Sequence, residues 1–404
     1  MSAGATANLD ELDVGHPRFA VDAVDRILAR ARELNASDVH FHPTPSGLEL
    51  KWRIDGVLQP AGRIAASAAP NVVARLKVVA ELLTYRTDVP QEGRIRGAPG
   101  SAEVRVSTFP TLHGERAVVR LFASAERFGR ISELGLPGEV EPALRRLLDA
   151  TSGAVIATGP AGSGKTTTIY ACIRDLAAST EGRRSIATLE DPIEGAVSGV
   201  SQSQIDAAAG FDLTTALRSI LRQDPEVLVV GEIRDRATAE IAFQAALTGH
   251  LLLTTFHAGG TAGAVSRLLD MGIEPYLVRS GLLAVLSQRL ARRLCEACSV
   301  VDPEEGSRLG LAVDRPRRAV GCAECRSTGY SGRLLLAELL LPEAHGVGPA
   351  ILERVDSREL ERRAVEHGLI TLEERAASAC RAGWTDPREV RRILGYGRNP
   401  LDDL

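Results

Sequence analysis

The sequence has few aromatic side chains, little lysine and no long uninterrupted apolar run. Of its 404 residues only 4% are aromatic, and its net charge is −4. This composition argues against a nucleic-acid-binding protein, because such proteins are usually basic and stack bases on aromatic rings. Three lysines stand beside 45 arginines, an excess that indicates the codon bias of a GC-rich genome.

Neither a targeting segment nor a membrane span is predicted. Residues 1–15 carry acidic side chains and lack an apolar centre, unlike a signal peptide. The uncharged stretch 241–266 is interrupted by polar side chains and glycines, so it does not supply the roughly 20 apolar residues that a bilayer requires. We therefore expect a cytoplasmic protein.

Two C-x-x-C pairs lie in the last third of the chain. In a reducing compartment such pairs favour a tetrahedral zinc site over disulfides. Four thiolates leave no open coordination position, so the zinc is predicted to be structural rather than catalytic. The predicted ligands are Cys295, Cys298, Cys322 and Cys325, with disulfides or unbound thiols as the alternatives, while Cys172 and Cys380 are predicted to be core residues.

Apolar patterning predicts two kinds of architecture along the chain. Alternation at Leu48, Leu50, Trp52 and Ile54, followed by Asp55-Gly56, is typical of a hairpin and indicates a small α+β domain near the N-terminus. Further along, short apolar runs alternate with helical segments, as in a parallel α/β sheet. These predicted strands are Ala154–Thr158, Ser185–Leu189, Glu226–Val230 and His250–Thr255.

The segment 159–166 has the sequence of a phosphate-binding loop. It matches G-x-x-x-x-G-K-[ST] in full and lies between a predicted strand and a predicted helix. Its glycines let backbone N–H groups surround phosphates, its lysine suits the β- and γ-phosphates, and its threonine suits Mg²⁺. The predicted ATP-binding residues are Gly159, Pro160, Ala161, Gly162, Ser163, Gly164, Lys165, Thr166 and Thr167, with Thr166 as the Mg²⁺ ligand.

Carboxylates follow two other predicted strands. Glu232 comes directly after an apolar strand, and Glu190, Asp191 and Glu194 come at the end of another. Ligands of α/β sheets bind at the carboxyl ends of the strands, and ATP hydrolysis needs acids near Mg²⁺ and near the attacking water. On these residues alone, a solvated acidic loop remains the alternative for the second group.

Together these motifs resemble those of the secretion ATPases of type II secretion and type IV pilus assembly. The resemblance covers residues 36–340. In the N-terminal part it rests on segments 36–41, 52–58, 90–94 and 105–116. In the motor part it rests on an aspartate box at 188–194, a Walker B region at 217–235 and a histidine box at 247–257.

The resemblance assigns roles that spacing alone does not. It implies that Glu194 positions the lytic water, that Glu190 and Asp191 support Mg²⁺ and its waters, and that Glu232 is the Walker B acid. His257 would sense the γ-phosphate or couple hydrolysis to movement, and Lys165 completes the catalytic set. Four arginines would reach phosphates, with surface ion pairs as the alternative: Arg105, Arg120, Arg218 and Arg222.

The implied fold is α/β, a RecA-like P-loop NTPase motor domain with a small N-terminal α+β domain and a Cys₄ zinc subdomain. The expected parts are a disordered tail over 1–16, the small domain over 17–124, a linker over 125–138 and the ATPase domain over 139–404, which includes the zinc subdomain 290–330 and a C-terminal helical region 345–404.

The implied function is Mg²⁺-dependent ATP hydrolysis that drives pseudopilus assembly and protein export through an inner-membrane platform. The resemblance further implies a homohexamer at the cytoplasmic face of the inner membrane, bound to it through partners and without direct contact to nucleic acid. A pilus-assembly motor, a DNA-uptake ATPase and a non-hydrolysing regulatory subunit remain the alternatives.

Three departures from the family pattern stand out. Few residues precede the small domain, so the usual N-terminal docking domain is expected to be missing or to be the helix predicted over 21–34. The histidine box continues with residues 258–261, Ala-Gly-Gly-Thr, in place of Thr, Asn and Asp, a loss expected to weaken coupling. The aspartate box ends at Glu194-Gly195-Ala196 without an aromatic residue.

Overall fold

The computed structural model of the chain describes residues 6–7, 9, 11–95, 104–121 and 128–395. It divides into two compact units, Met1–Arg127 with Gly321–Thr328 and Phe128–Val320 with Gly329–Leu404. The tail predicted over 1–16 and the linker predicted over 125–138 lie partly outside the described residues. Within that tail Ala7 is buried and its N–H donates to the carbonyl of Ala61 at 2.8 Å, so this residue is packed rather than loose.

Over its described residues, the first unit is a six-stranded antiparallel sheet with two helices. The sheet order is β3-β2-β1-β6-β5-β4. Its elements are α1 Phe19–Glu33, β1 Asp38–Thr44, β2 Gly47–Ile54, β3 Val57–Ala65, α2 Ala69–Val79, β4 Gln91–Ile95, β5 Val104–Thr111 and β6 Gly114–Leu121.

The hairpin between β2 and β3 confirms the predicted turn. Leu48, Leu50, Trp52 and Ile54 are all buried on one face of β2, as the alternation requires. Ile54 pairs with Val57, so the loop has two residues, and both have positive φ, 48° at Asp55 and 81° at Gly56. Such a turn matches the right-handed twist of the flanking strands, which explains the aspartate-glycine pair.

The second unit is a seven-stranded sheet with helices. Its order is β15-β12-β7-β11-β10-β8-β9, and all neighbours are parallel except β12 and β15. Its strands are β7 Gly153–Thr158, β8 Ile186–Glu190, β9 Ser201–Gln204, β10 Val227–Val230, β11 Leu251–Phe256, β12 Leu282–Leu294 and β15 Tyr330–Leu340, and a separate ribbon pairs β13 Val300–Val301 with β14 Arg317–Arg318.

The helices of this unit fall into two groups along the chain. The first group alternates with the parallel strands, as predicted: α3 Val140–Leu148, α4 Lys165–Thr180, α5 Leu213–Ile220, α6 Arg236–Leu247, α7 Thr261–Asp270 and α8 Pro275–Gly281. The second group follows β15 and forms the helical C-terminal region: α9 Gly348–Glu353, α10 Ser357–Glu366, α11 Leu372–Arg381 and α12 Pro387–Leu394. Among the helices in the described ranges, none is long and apolar enough to cross a bilayer.

A buried carboxylate joins α12 to β12. Glu389 is fully buried, and its oxygens accept hydrogen bonds from the side chain of Arg292 at 2.7 and 2.9 Å and from that of Arg392 at 2.5 and 2.7 Å. Burial opposes ionisation, but these guanidinium bonds outweigh it and hold the pKa of Glu389 below its usual value. The C-terminal helix is therefore fastened to the central sheet by a charge cluster.

We predict that Glu389→Ala lowers the free energy of unfolding by about 3–5 kcal/mol, because it leaves the largely buried Arg292 without its carboxylate. Denaturant titration of the purified chain measures the loss. The matched control is Glu366→Ala, whose carboxylate pairs with Arg362 where both side chains are more than half exposed, so that the pair contributes little to stability. Equal losses in the two variants would contradict the prediction.

Candidate active site

The phosphate-binding loop lies between β7 and α4, in the context that its sequence predicts. Gly159, Gly162 and Gly164 have φ of 146°, 75° and 95°, a region that favours glycine. A Cβ added to Gly159 would lie 2.6 Å from the carbonyl oxygen of Gln288 on β12. The loop therefore passes too close to the neighbouring strand for any other residue at its first position.

Lys165 is folded back onto this loop. Its Nζ donates to the carbonyl oxygens of Gly159 at 2.8 Å and Pro160 at 3.0 Å. Burial lowers the pKa of this ammonium, and the negative charge of Glu232 acts against that shift. An ammonium in this position offers a phosphate anion a charge-assisted hydrogen bond, which is stronger than its bonds to neutral carbonyls.

The other residues of the loop differ in exposure. Ser163 is buried, and among the described residues its Oγ has no hydrogen-bond partner, as expected of a donor that awaits a ligand. Thr166 and Thr167 are half-buried in the first turn of α4, whereas Pro160 and Ala161 are exposed. The polar groups needed to hold a nucleotide phosphate and Mg²⁺ are thus present at one helix N-terminus.

Glu232 and His257 meet at the ends of adjacent parallel strands. Glu232 follows β10, His257 follows β11, and the two strands pair directly. His257 Nε2 lies 3.2 Å from Glu232 Oε1, and Arg234 Nε donates to Glu232 Oε2 at 2.8 Å. The structure therefore brings Glu232 and His257 of the predicted catalytic set together. The negative charge of Glu232 also acts on the ammonium of Lys165.

Glu190 lies in an environment that its predicted role in supporting Mg²⁺ does not anticipate. It ends β8 and is buried. Its carboxylate accepts hydrogen bonds from the hydroxyl of Tyr170, from Thr188 Oγ1 at 2.7 Å and from Gln202 Nε2 at 3.0 Å. These bonds occupy its oxygens within the protein, whereas Asp191 and Glu194 are exposed on the loop that follows.

The predicted arginines fall into two pairs in different units. Arg105 on β5 and Arg120 on β6 are opposite each other in register, and Arg120 Nε donates to Asp38 Oδ1 at 2.9 Å. Both line a groove of about 540 Å³ in the first unit. Arg218 and Arg222, in the second unit, are exposed at the C-terminal end of α5 and line a groove of about 450 Å³. Both grooves carry paired guanidinium groups suited to an anion.

Arg289 on β12 is a cation beside the loop that sequence reasoning missed. It is largely buried, and burial lowers its pKa. Its Nη1 donates to Gln288 O at 2.9 Å and its Nη2 donates to Gly259 O at 2.6 Å. It thereby joins the strand next to the phosphate loop to the segment that follows the histidine box. Nothing in the local sequence distinguishes Arg289 from the other arginines nearby.

Glu338 on β15 caps the helix that follows the histidine box. Gly260, the residue before α7, has no side chain to cap the helix. The buried carboxylate of Glu338 accepts instead from the N–H of Thr261 at 3.2 Å, from the Thr261 hydroxyl, and from the N–H of Leu372 at 2.8 Å. One carboxylate thus caps α7 and α11, and the weakened coupling expected from this box stays a prediction.

The four predicted zinc ligands form one cluster. Their Sγ atoms all lie within 4.8 Å of one another, and those of Cys322 and Cys325 are 3.7 Å apart. Zinc–sulfur bonds of about 2.3 Å in a tetrahedron place sulfurs about 3.8 Å apart, whereas a disulfide needs about 2 Å. The donor set therefore fits zinc. The remaining cysteines, Cys172 and Cys380, are buried as predicted, and burial raises the pKa of each thiol to about 12.

Comparisons with known proteins find a matching family model and similar relatives. A family model described as "Type II/IV secretion system protein" matches residues 16–392. The chain is 39% identical to the type II secretion system ATPase E of Vibrio cholerae over 96% of this chain and 77% of that protein. It is 37% identical to the type IV pilus assembly ATPase PilB of Thermus thermophilus, over 91% of this chain and 42% of that protein.

A solved structure supports the fold. The ATPase DotB of Legionella pneumophila is similar with a TM-score of 0.66 and 21% identity, over 92% of this chain and 94% of that one. This likeness confirms the predicted α/β fold class.

We predict that Gly159→Ala weakens ATP binding roughly 10- to 100-fold, because the new Cβ must push the loop away from the backbone of Gln288 and costs about 1–3 kcal/mol of strain. Titration with a fluorescent ATP analogue measures the affinity. Gly263→Ala is the matched control, since this residue lies inside α7 without a positive φ and a Cβ there meets no atom within 4 Å outside the backbone of its own helix. Unchanged affinity in Gly159→Ala would contradict the assignment of the loop.

Proposed function

This chain belongs to the family of type II/IV secretion system proteins, and from that premise we propose that it is the Mg²⁺-dependent ATPase motor of a type II secretion system. The observation that carries the proposal is the complete phosphate loop with Lys165 beside the Glu232–His257 pair, in a chain that matches a secretion ATPase over nearly its whole length.

ATP would be held by residues 159–167. Backbone N–H groups of the loop and the N-terminal end of α4 surround the phosphates, and Lys165 exchanges its carbonyl partners for phosphate oxygens. Thr166 would be the protein ligand of Mg²⁺ and Glu232 would act on it through water, and the ion would supply positive charge to the phosphates. The orphan hydroxyl of Ser163 is a further donor available to the nucleotide.

Hydrolysis requires a carboxylate that orients water against the γ-phosphorus. We assign this role to Glu194, which is exposed at the end of the aspartate box. The water oxygen bonds to phosphorus, the bond from phosphorus to the bridging oxygen of ADP breaks, and the water proton passes to the carboxylate. Support of the Mg²⁺ waters is assigned to Asp191 rather than Glu190, because the oxygens of Glu190 already accept three hydrogen bonds.

Coupling of hydrolysis to movement is assigned to His257 and the two pairs of arginines. His257 contacts Glu232, the proposed Walker B acid. Through this contact the histidine would respond to whether Mg²⁺ and phosphate are bound. Phosphate charge would be stabilised by the guanidinium groups of Arg105, Arg120, Arg218 and Arg222. A homohexamer that acts on an inner-membrane platform from the cytoplasmic side completes the proposal.

The zinc site would hold the segment between β12 and β15. Cys295 and Cys298 follow β12, and Cys322 and Cys325 precede β15, so one ion ties both ends of this insertion. A closed Cys₄ set has no position for substrate, and its contribution is therefore to folding.

Pilus assembly is the second candidate function, and the identity with a pilus-assembly ATPase favours it. A deletion strain separates the two. Loss of exported enzymes in the culture medium with intact surface pili supports secretion, and loss of pili with normal export would replace it with pilus assembly. Complementation by the wild-type chain is the control in both assays.

We predict that Glu194→Gln retains ATP binding and lowers kcat at least about 100-fold, because the amide cannot take the proton of the attacking water. Steady-state phosphate release is measured beside nucleotide affinity and oligomeric mass. The control is Glu181→Gln, at an exposed ion pair after α4. Turnover that survives in Glu194→Gln would remove this residue from its assigned role.

We predict that Cys298→Ser loses bound zinc and lowers the thermal stability of the chain, because three thiolates and a neutral hydroxyl bind zinc much less tightly than four thiolates. Metal analysis and thermal unfolding measure the two effects. Cys172→Ala, at a buried cysteine outside the cluster, is expected to keep its zinc. Full zinc occupancy in Cys298→Ser would contradict the Cys₄ assignment.

A further inference from the structure

We propose that Tyr170 is a positioning residue for ATP hydrolysis, whose hydroxyl, held by Glu190, fixes the backbone of the loop that carries Glu194. The inference rests on the proposed function, since it assigns a supporting group to the proposed water-orienting carboxylate. It concerns no residue that contacts the phosphates.

The hydroxyl of Tyr170 uses its whole hydrogen-bonding capacity at this loop. It donates to the buried carboxylate of Glu190 and accepts from the N–H groups of Glu194 at 3.0 Å and Gly195 at 3.3 Å. A hydroxyl has one donor and two acceptor positions, so all three are filled. The two peptide groups that flank the Glu194 side chain are thereby tied to one oxygen atom.

Gln202 on β9 holds the same loop from another side. Its Nε2 donates to Glu190 Oε1 and to Gly195 O, both at 3.0 Å, and its Oε1 accepts from the N–H of Val197 at 2.7 Å. Glu190 therefore anchors two side chains, and these together bind the peptide groups of residues 194, 195 and 197. We call Tyr170, Glu190 and Gln202 the loop clasp.

Tyr170 lies on α4, and this position connects the loop clasp to the phosphate site. The same helix begins at Lys165, so one rigid element supplies the end of the phosphate loop and the oxygen that fixes the Glu194 backbone. The separation between the phosphate site and the loop of Glu194 is thus set within five residues of one helix. Displacement of a catalytic group by about 1 Å costs on the order of 100-fold in rate, so this separation is a constraint on turnover.

The hydroxyl also keeps its proton under ordinary conditions. Burial raises the pKa of Tyr170, and the hydrogen bond to Glu190 and the charge of that carboxylate raise it further. Tyr170 is almost completely buried. A neutral hydroxyl can donate to Glu190 and accept from the loop at the same time, which a phenolate cannot do.

The test is Tyr170→Phe in the full chain, because this change removes one oxygen atom and keeps the buried aromatic ring. The matched control is Tyr330→Phe, which removes a half-buried hydroxyl that donates to Asp386 at 2.7 Å, outside the loop clasp. We measure hydrogen exchange of the amides of residues 194 and 195, kcat, and the dissociation constant of an ATP analogue for both variants.

We expect Tyr170→Phe to speed exchange of these two amides at least about tenfold and to lower kcat roughly 10- to 100-fold, with nucleotide affinity unchanged within about twofold. Tyr330→Phe should leave both amides and kcat unchanged. Gln202→Leu is a second variant of the clasp and should shift the same readouts in the same direction.

Two results would overturn the inference. Unchanged exchange at residues 194 and 195 in Tyr170→Phe would show that the hydroxyl does not hold the loop, whatever the activity. Faster exchange with unchanged kcat would show that the held loop does not matter for turnover. If Glu194→Gln itself keeps its turnover, the proposed role of Glu194 fails instead, and the amide exchange still reports on the clasp.

Discussion

The parallel pairing of four buried strands is the constraint on which the rest of the second unit depends. β7, β11, β10 and β8 are neighbours in register, so their carboxyl ends reach one edge of the sheet together. The phosphate loop follows β7, Glu232 follows β10, His257 follows β11, and the aspartate box spans the end of β8. Residues separated by about a hundred positions in sequence therefore meet because backbone hydrogen bonds align the strands that carry them.

Buried polar side chains connect the parts around that edge. Glu190 anchors Tyr170 and Gln202, Glu338 caps α7 and α11, and Glu389 fastens α12 to β12. A buried carboxylate is costly unless donors satisfy it, so each one specifies its partners closely. The site is thus held by a few charge-assisted contacts set in an apolar sheet, and a motor that repeats one reaction benefits from such fixed distances.

Much of the fold follows from local patterns, and the exceptions have physical reasons. The hairpin at Asp55-Gly56 and the four core strands follow from alternation, turn chemistry and short apolar runs. β12 was not predicted, because its sequence is rich in leucine, alanine and arginine, which favour helices. It is a strand because β7 and β15 pair with it on both sides. The polar β9 has no apolar pattern at all, and its edge pairing with β8 defines it.

The sequence by itself determined the phosphate loop, the strand-ending acids and the four-cysteine cluster, because each depends on residue types at short fixed spacings. It did not determine which side chains support them. Glu338 and Thr261 are 77 positions apart, and Gln288 and Thr168 are 120 apart, yet each pair is hydrogen-bonded. The tertiary structure also decided that Glu190 faces Tyr170 and Gln202. Burial and hydrogen-bond direction depend on how strands and helices pack, and the spacing of residues along the chain does not give the distances between packed side chains.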